Sequence, residues 1–400
     1  MTVSSPKLAV DGAPVEKVND AKPTEVHWDE YPDLEHRVLP IRPFGDHVPP
    51  NPFKSPRDIP KDRALGADPH LPHLLGSGVE RLDFTPSIGT QLSGIQLSNL
   101  TDKQKDELAL LVAHRGVVFF RDQDITAEQQ RALFDYYGIP ELAGDNPEDG
   151  KKLVINNIQE QEPDFRRAYV HFKWPFADFH ADSSFEINPP SFSLLRVDEP
   201  PPVGGDTLWI SGYGTYETLS PPLQKFLDGL KAWHSSGLVY DSVLNHWGVK
   251  PPTRPHETLH PIVRTHPVTG YRSLNLNSGF VNRIEGLNRY ESDKLLELLF
   301  THIHTATDHQ VRWRWEKNSA ALWDNRHVTH RATHDYAPLH RHGFRVTIAG
   351  EVPAFKEGSR SRREAERELR NKQDLPAVYN ENLRKGTYPT EGEEAISKVW

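Results

Sequence analysis

Periodicity begins at Gly78 and divides the chain. Before it, residues 1–75 are rich in proline and charge and follow neither a strand nor a helix period, so they read as an extension that wraps the core or stays disordered. Thr101-Asp102-Lys103-Gln104 then reads as a capping box, in which hydroxyl and amide side chains satisfy backbone N–H groups at a helix start. Leu108, Leu111 and Val112 mark the apolar stripe of that helix, and Gly116 stops it. Val117-Val118-Phe119-Phe120 is apolar without alternation, the pattern of a buried strand. Thr126-Ala127-Glu128-Gln129 opens a second helix running to Gly138, and Ser220 before Pro221 and Pro222 opens a third. Leu295, Leu296, Leu299, Phe300 and Ile303 form a helical stripe that reads as core.

Strands are predicted around 191–197, 206–210, 271–277, 320–324 and 344–351. Many short strands with helices packed outside predict a mainly β fold with flanking helices, a distorted double-stranded β-helix of the jelly-roll, cupin-like class. The chain divides into a Pro-rich extension at 1–75, a folded domain at 76–355 and a charged helical tail at 356–400.

Composition narrows the chemistry. With 400 residues the chain exceeds the usual single core. No apolar run approaches the roughly 20 residues that span a bilayer, and residues 1–10 lack a basic start and a long apolar segment, so a cytoplasmic location is expected. There is no cysteine, which excludes disulfides, zinc–thiolate sites, thiolate-held iron–sulfur clusters and cysteine nucleophiles. Any metal must rest on nitrogen and oxygen. A formal charge of -9 argues against a nucleic-acid surface. The one dense basic run, Arg360-Ser361-Arg362-Arg363, is followed by Glu364, Glu366 and Glu368 and reads as a solvated face.

Candidate chemistry centres on histidine. His180-Ala181-Asp182 lies just before the strand at 191–197, and an extended backbone would project both side chains from one face. A second copy, His27-Trp28-Asp29, lies in the Pro-rich leader and reads as surface. Two imidazoles and one carboxylate can occupy one face of Fe(II) and leave three positions for a chelating co-substrate and O2, the donor set of an oxygenase. Candidates for the third ligand are His302, His304 and His309, and the later cluster of His327, His330, His334, His340 and His342. Taken singly, Trp209, Trp315 and Trp323 read as core, Asp324 with Arg326 as a structural ion pair, and Trp313 and Arg314 carry no signal. A metal-dependent hydrolase, or a binding protein that needs no metal, would use some of the same residues.

Several motifs occur in a fixed order: His180-x-Asp182, Gly204-Gly205-Asp206-Thr207-Leu208-Trp209, Trp323-Asp324-Asn325-Arg326, His330, Asp335-Tyr336, and Arg341 with Arg345. Over roughly residues 76 to 353 the chain thereby resembles the taurine dioxygenase (TauD/TfdA-like) family of Fe(II)- and 2-oxoglutarate-dependent oxygenases, and within it the fungal sulfonate-dioxygenase-like branch. The resemblance implies the same jelly-roll fold. It implies Fe(II) on His180, Asp182 and His330, the remote carboxylate of 2-oxoglutarate on Thr207 and Arg341, and the substrate anion on Arg345. Arginine suits such work because its planar fork holds a carboxylate through two charge-assisted bonds. If 341–348 is a strand, Arg341 and Arg345 share a face while Phe344, Val346 and Ile348 take the other.

The implied reaction is oxidation of a C–H bond in a small anionic substrate, with O2 and 2-oxoglutarate consumed and succinate and CO2 released. Hydroxylation next to sulfur would release sulfite and an aldehyde. Family members usually carry a His-x-His-Pro segment after the early helix, where this chain reads Gly138-Ile139-Pro140-Glu141-Leu142-Ala143-Gly144. That departure points away from taurine itself and towards another sulfonate or a carboxylate, such as an amino acid in natural-product biosynthesis; Glu141 could meet a substrate amine. The segments 156–174 and 241–257 read as lids, and a homo-oligomer is expected from the family.

Overall fold

The computed structural model describes residues 58–140, 179–237, 256–333, 335–336, 339–369 and 375–384. The first helix, α1 (Asp102–Arg115), starts as its sequence predicts: Thr101 Oγ1 accepts the Gln104 N–H and the Gln104 side chain accepts the Thr101 N–H. It ends at Gly116, whose φ of 77° is open to glycine and strained for other residues. A Cβ at Gly116 would also lie 2.9 Å from Val328 Cγ2. The second helix, α2 (Ala127–Tyr137), has the matching box of Thr126 and Gln129 and stops before Gly138.

More of α1 is buried than one apolar stripe requires, because a second layer covers it. Leu71 and Leu74, in the stretch expected to be extension, are fully buried in the same core cluster. Glu107 of α1 anchors that layer by accepting the N–H groups of His73 at 3.0 Å and Leu74 at 2.7 Å.

The main sheet has six strands: β1 (Glu80–Asp83), β2 (Thr90–Ser93), β3 (Val117–Phe120), β4 (Pro190–Glu199), β12 (Ser319–Asp324) and β14 (His342–Ala349), in the order β1-β2-β3-β12-β4-β14. A three-stranded sheet faces it, formed by β5 (Thr207–Ser211), β11 (Gln310–Trp313) and β13 (Val328–Ala332) with β5 central. Alternation explains both sides of the main sheet. Val117, Phe119, Val197, Ala321 and Trp323 point between the sheets, where they meet Trp209, Val311, Trp313, Trp315 and Val328. Their neighbours Val118, Phe120, Leu194, Ala320, Leu322, Val346 and Ile348 point outward to α1 and α2. Trp209, Trp315 and Trp323 are therefore core, as expected, and Trp313 stacks on Phe119 with centroids 4.2 Å apart.

A second core lies beneath the helix α5 (Arg289–Thr305), where the predicted stripe buries Leu296, Leu299, Phe300 and Ile303. Between β5 and that helix run α3 (Gly212–Glu217), α4 (Pro221–Leu227), and the strands β6 (Lys231–Ser235), β7 (Glu257–Pro261), β8 (Val263–Thr265), β9 (Arg272–Leu274) and β10 (Val281–Ile284). The strand expected at 271–277 is thus only its first part. Among the described residues, no helix is long and apolar enough to cross a membrane.

One expectation is corrected. Of the basic run 360–363, Arg360 is exposed and pairs with Glu368 at 2.6 Å, but Arg362 is buried. It begins α6 (Arg362–Leu369), donating to Ser87 O at 2.8 Å and lying 3.1 Å from Glu217 Oε2. The cause is Glu217, itself buried at the end of α3, since a buried carboxylate needs a partner. The signal was present as Ser361-Arg362-Arg363-Glu364, a capping box in which Ser361 N–H and Glu364 N–H bind each other's side chains.

Candidate metal and co-substrate site

Backbone pairing brings the two key histidines together. His180 and His330 form an isolated antiparallel bridge, with N···O distances of 3.0 and 2.7 Å, so their side chains are direct cross-strand neighbours. Their ring centroids are 4.4 Å apart. Asp182 follows after one intervening residue, at the start of a turn that passes through Ser183 with φ 41°. The Nε2 atoms of both histidines lie 3.7 Å from Asp182 Oδ1. One potential ligand atom from each residue falls within 4.8 Å of the others.

The charges are set for coordination. Burial would raise the Asp182 carboxyl, but the Arg345 guanidinium, the two imidazoles and the Ser193 hydroxyl outweigh it and bring it down to about 2. Burial and His180 push His330 down to about 3 against the pull of Asp182, so its ring is neutral near pH 7. Arg345 donates from Nη1 to Asp182 Oδ1 at 2.8 Å, and its buried Nε has no partner among the described residues. Its placement on the inward face of β14, opposite Val346 and Ile348, follows the predicted parity.

Arg341 is 1% exposed, yet its Nε and Nη2 have no hydrogen-bond partner among the described residues. Burial lowers its pKa while Tyr336, which accepts from it, and Asp206 act the other way; a guanidinium stays charged regardless. Trp315 joins it to Thr207: the indole lies 5.5 Å from the Arg341 guanidinium and donates from Nε1 to Thr207 Oγ1 at 3.0 Å. Because that oxygen accepts, the Thr207 hydroxyl proton remains to be donated. The Gly204-Gly205 turn fits closely beneath. Gly205 has φ 71°, and a Cβ there would lie 2.9 Å from Pro201 Cγ and 3.2 Å from Tyr336 Cδ1. Asp335 Oδ1 fixes the turn by accepting the Gly205 N–H at 2.8 Å.

The rival histidines are engaged elsewhere. His302 Nε2 lies 2.8 Å from Thr215 O, His304 Nε2 3.2 Å from Ser278 Oγ, and His309 Nδ1 2.9 Å from Ser87 Oγ. His340 and His342 pair with Glu199 and Asp198. His327 belongs to a second buried group with His266 and Asp324. Its carboxylate is fully engaged: Asp324 Oδ1 accepts from Arg326 N and Nε, and its Oδ2 accepts from Arg326 Nη2 and stands 3.0 Å from His266 Nε2. The expected Asp324–Arg326 ion pair is thus present and leaves no carboxylate oxygen for a metal. His27, Asp29, Glu141, His334 and the expected lid segments, apart from His256 and Glu257, lie outside the described residues.

Two residues with no role assigned from sequence stand beside Asp182. Ser193 Oγ is 2.7 Å from Asp182 Oδ2, and Asn325 Nδ2 is 2.8 Å from Ser193 Oγ. A polar side chain at an inward position of a buried strand was the available signal for Ser193.

Residues 80–347 match the family described as Taurine catabolism dioxygenase TauD, TfdA family. This chain belongs to that family. A provisionally named alpha-ketoglutarate-dependent sulfonate dioxygenase of Schizosaccharomyces pombe is 39% identical over 317 residues, covering 77% of this chain and 79% of that protein. An alpha-ketoglutarate-dependent sulfonate dioxygenase of Saccharomyces cerevisiae is 37% identical and covers 73% of each chain. The crystal structure of a taurine dioxygenase from Burkholderia xenovorans superposes with a TM-score of 0.58 at 32% identity, over 70% of this chain and 92% of that one. The jelly-roll fold and the likeness to the fungal sulfonate-dioxygenase-like branch are both borne out. As a member of the TauD/TfdA family, the protein is an oxidoreductase, a dioxygenase dependent on Fe(II), 2-oxoglutarate and O2.

Proposed function

We propose that this dioxygenase oxidises a C–H bond of a small sulfonate, with His180, Asp182 and His330 holding Fe(II), Thr207 and Arg341 holding the remote carboxylate of 2-oxoglutarate, and Arg345 meeting the substrate anion. The observation that carries it is Arg341. A buried guanidinium with two nitrogens that have no partner among the described residues, beside a hydroxyl that still has a proton to give, is a site built for a carboxylate. The donor set fits Fe(II), because the imidazole of His330 is neutral, the carboxylate is ionised and no thiolate exists in the chain. Iron, when bound, supplies the centre at which O2 is reduced, 2-oxoglutarate losing CO2 to become succinate as the substrate gains oxygen.

The protein's own part is positioning and exclusion of water. Arg341 and Thr207 fix the far end of the co-substrate from within the core, and Trp315 keeps them in register. Arg345 lies where a substrate anion would sit beside the metal ligands, and its Nε, without a partner among the described residues, supplies a donor. The named activities of the two fungal relatives favour a sulfonate over a carboxylate. Residues 76–355 form the dioxygenase domain in this reading, with 1–75 and 356–400 as extensions, and the enzyme acts in the cytoplasm as a homo-oligomer.

Anaerobic reconstitution with Fe(II) and 2-oxoglutarate tests the assignment through the weak visible charge-transfer band. Oxygen and a panel of sulfonates and amino acids should then give substrate-stimulated succinate, with sulfite from the productive sulfonate. Full activity in a His330→Ala variant would refute the ligand set, and succinate stimulated by amino acids alone would refute the sulfonate.

A further inference from the structure

We propose that Ser193 and Asn325 are positioning residues that hold Asp182 as a one-oxygen ligand and so keep a third coordination position open; this rests on the ligand set proposed above. Proton bookkeeping fixes the direction of every bond in the group. Asn325 Oδ1 lies 3.0 Å from the Trp323 indole N–H and 3.1 Å from the Asp182 backbone N–H. Both of those are donors, so the amide can be placed only with its oxygen there and its nitrogen towards Ser193. Asn325 Nδ2 then donates to Ser193 Oγ at 2.8 Å, and the single Ser193 proton goes to Asp182 Oδ2 at 2.7 Å.

None of these groups has freedom to turn away. Ser193 is fully buried in β4, in register with Trp323 of β12 on one side and Thr347 of the edge strand β14 on the other. Asn325 is held by its own N–H to Ser191 O at 2.8 Å. One side chain therefore grips both the backbone and, through Ser193, the carboxylate of Asp182. Trp323, at the head of the relay, also lies against the His330 ring at 4.9 Å between centroids.

The consequence is a matter of coordination number. An octahedral ion with two imidazoles and one carboxylate oxygen keeps three positions, two for the keto-acid end of 2-oxoglutarate and one for O2. A carboxylate free to swing could offer both oxygens and leave two. Oδ2 is engaged by the Ser193 hydroxyl, and Oδ1, which also accepts from Arg345 Nη1 at 2.8 Å, lies 3.7 Å from the Nε2 of each imidazole.

The test compares Ser193→Ala, Ser193→Thr and Asn325→Asp with the parent protein. Asn325→Asp keeps the acceptor for Trp323 and Asp182 but turns the donor facing Ser193 into an acceptor, drawing the Ser193 proton away from Asp182. Each protein is titrated with Mn(II), followed by electron paramagnetic resonance, and the Fe(II) forms are titrated anaerobically with 2-oxoglutarate by the visible band. Ser193→Ala and Asn325→Asp should weaken metal or co-substrate binding by about 10- to 100-fold and shift the band, while Ser193→Thr, which retains the hydroxyl, stays near the parent. Thermal unfolding of the metal-free proteins identifies a variant that fails to fold, in which case the remaining one decides. Parent-like titrations and band in a folded Ser193→Ala or Asn325→Asp variant would overturn the proposal alone. A parent protein that binds no Mn(II) would sink the ligand set with it.

Discussion

Lowering the pH should destabilise this protein before its carboxylates titrate, because five buried histidines stay neutral in the folded state. His234, His260, His266, His304 and His327 are all at most 8% exposed. Burial depresses each of them, His260 and His304 to about 4 and the others in the same direction. For His266 the geometry gives the same answer, since Nδ1 accepts the N–H groups of Val268 and Thr269 and cannot carry a proton. Above the unfolded value of about 6.5 both states are neutral and the full stability is present. As pH falls below it, the unfolded chain takes up protons that the folded protein refuses, and stability is lost until the folded values near 4 are reached. At pH 5.5 His260 and His304, held at about 4, cost about 1.4 kcal/mol each and so about 3 kcal/mol together, and His234, His266 and His327 act in the same direction, against a total of about 5–15 kcal/mol for a typical domain. Urea unfolding of the metal-free protein at pH 7.5 and 5.5, followed by tryptophan fluorescence, measures the difference directly. His304→Gln should reduce it by about 1.4 kcal/mol, its own share of the linkage. A loss of less than about 2 kcal/mol between the two pH values would refute the neutral-core argument.

Replacing Arg341 by Ala should raise the 2-oxoglutarate requirement by about a hundredfold, near 3 kcal/mol for lost charge-assisted bonds, and leave prime-substrate binding largely intact. Arg345→Ala should do the reverse; equal effects of both on both ligands, read from succinate formation, would undo that division. Asp324→Asn breaks a fully buried pair and should cost about 3–5 kcal/mol in denaturant unfolding at pH 7, with unchanged stability counting against the closed network. Gly116→Ala should lower stability by at least about 1 kcal/mol through its positive φ, more if Val328 cannot yield, and a neutral melt would refute the cap.

Legibility tracked how locally each feature was encoded. The capping boxes of α1 and α2 and the stripe of α5 were readable because helix starts and helical faces are written within a few neighbouring residues. The strands β6 to β10 were mostly missed because they are short and bury polar groups. In β7, Glu257 and His260 are as buried as the apolar core, so no apolar alternation survives to be counted. His180 and Asp182 stood out by motif, whereas His330 needed the surrounding block, since eight histidines after residue 300 compete on type alone. Ser193 and Asn325 escaped because their importance lies in what they touch across the sheet.

The backbone bridge between His180 and His330 has a further consequence for how the protein acquires its metal. Main-chain hydrogen bonds between the two residues set the rings side by side, so the fold itself builds the socket that carries both imidazoles. Such a socket is a poor judge of identity. Nitrogen and oxygen donors favour cobalt, nickel and copper over iron in the general affinity order, and a rigid frame adds no rearrangement that iron alone could complete. Donor type by itself therefore leaves the choice of ion to the supply of metals around the protein.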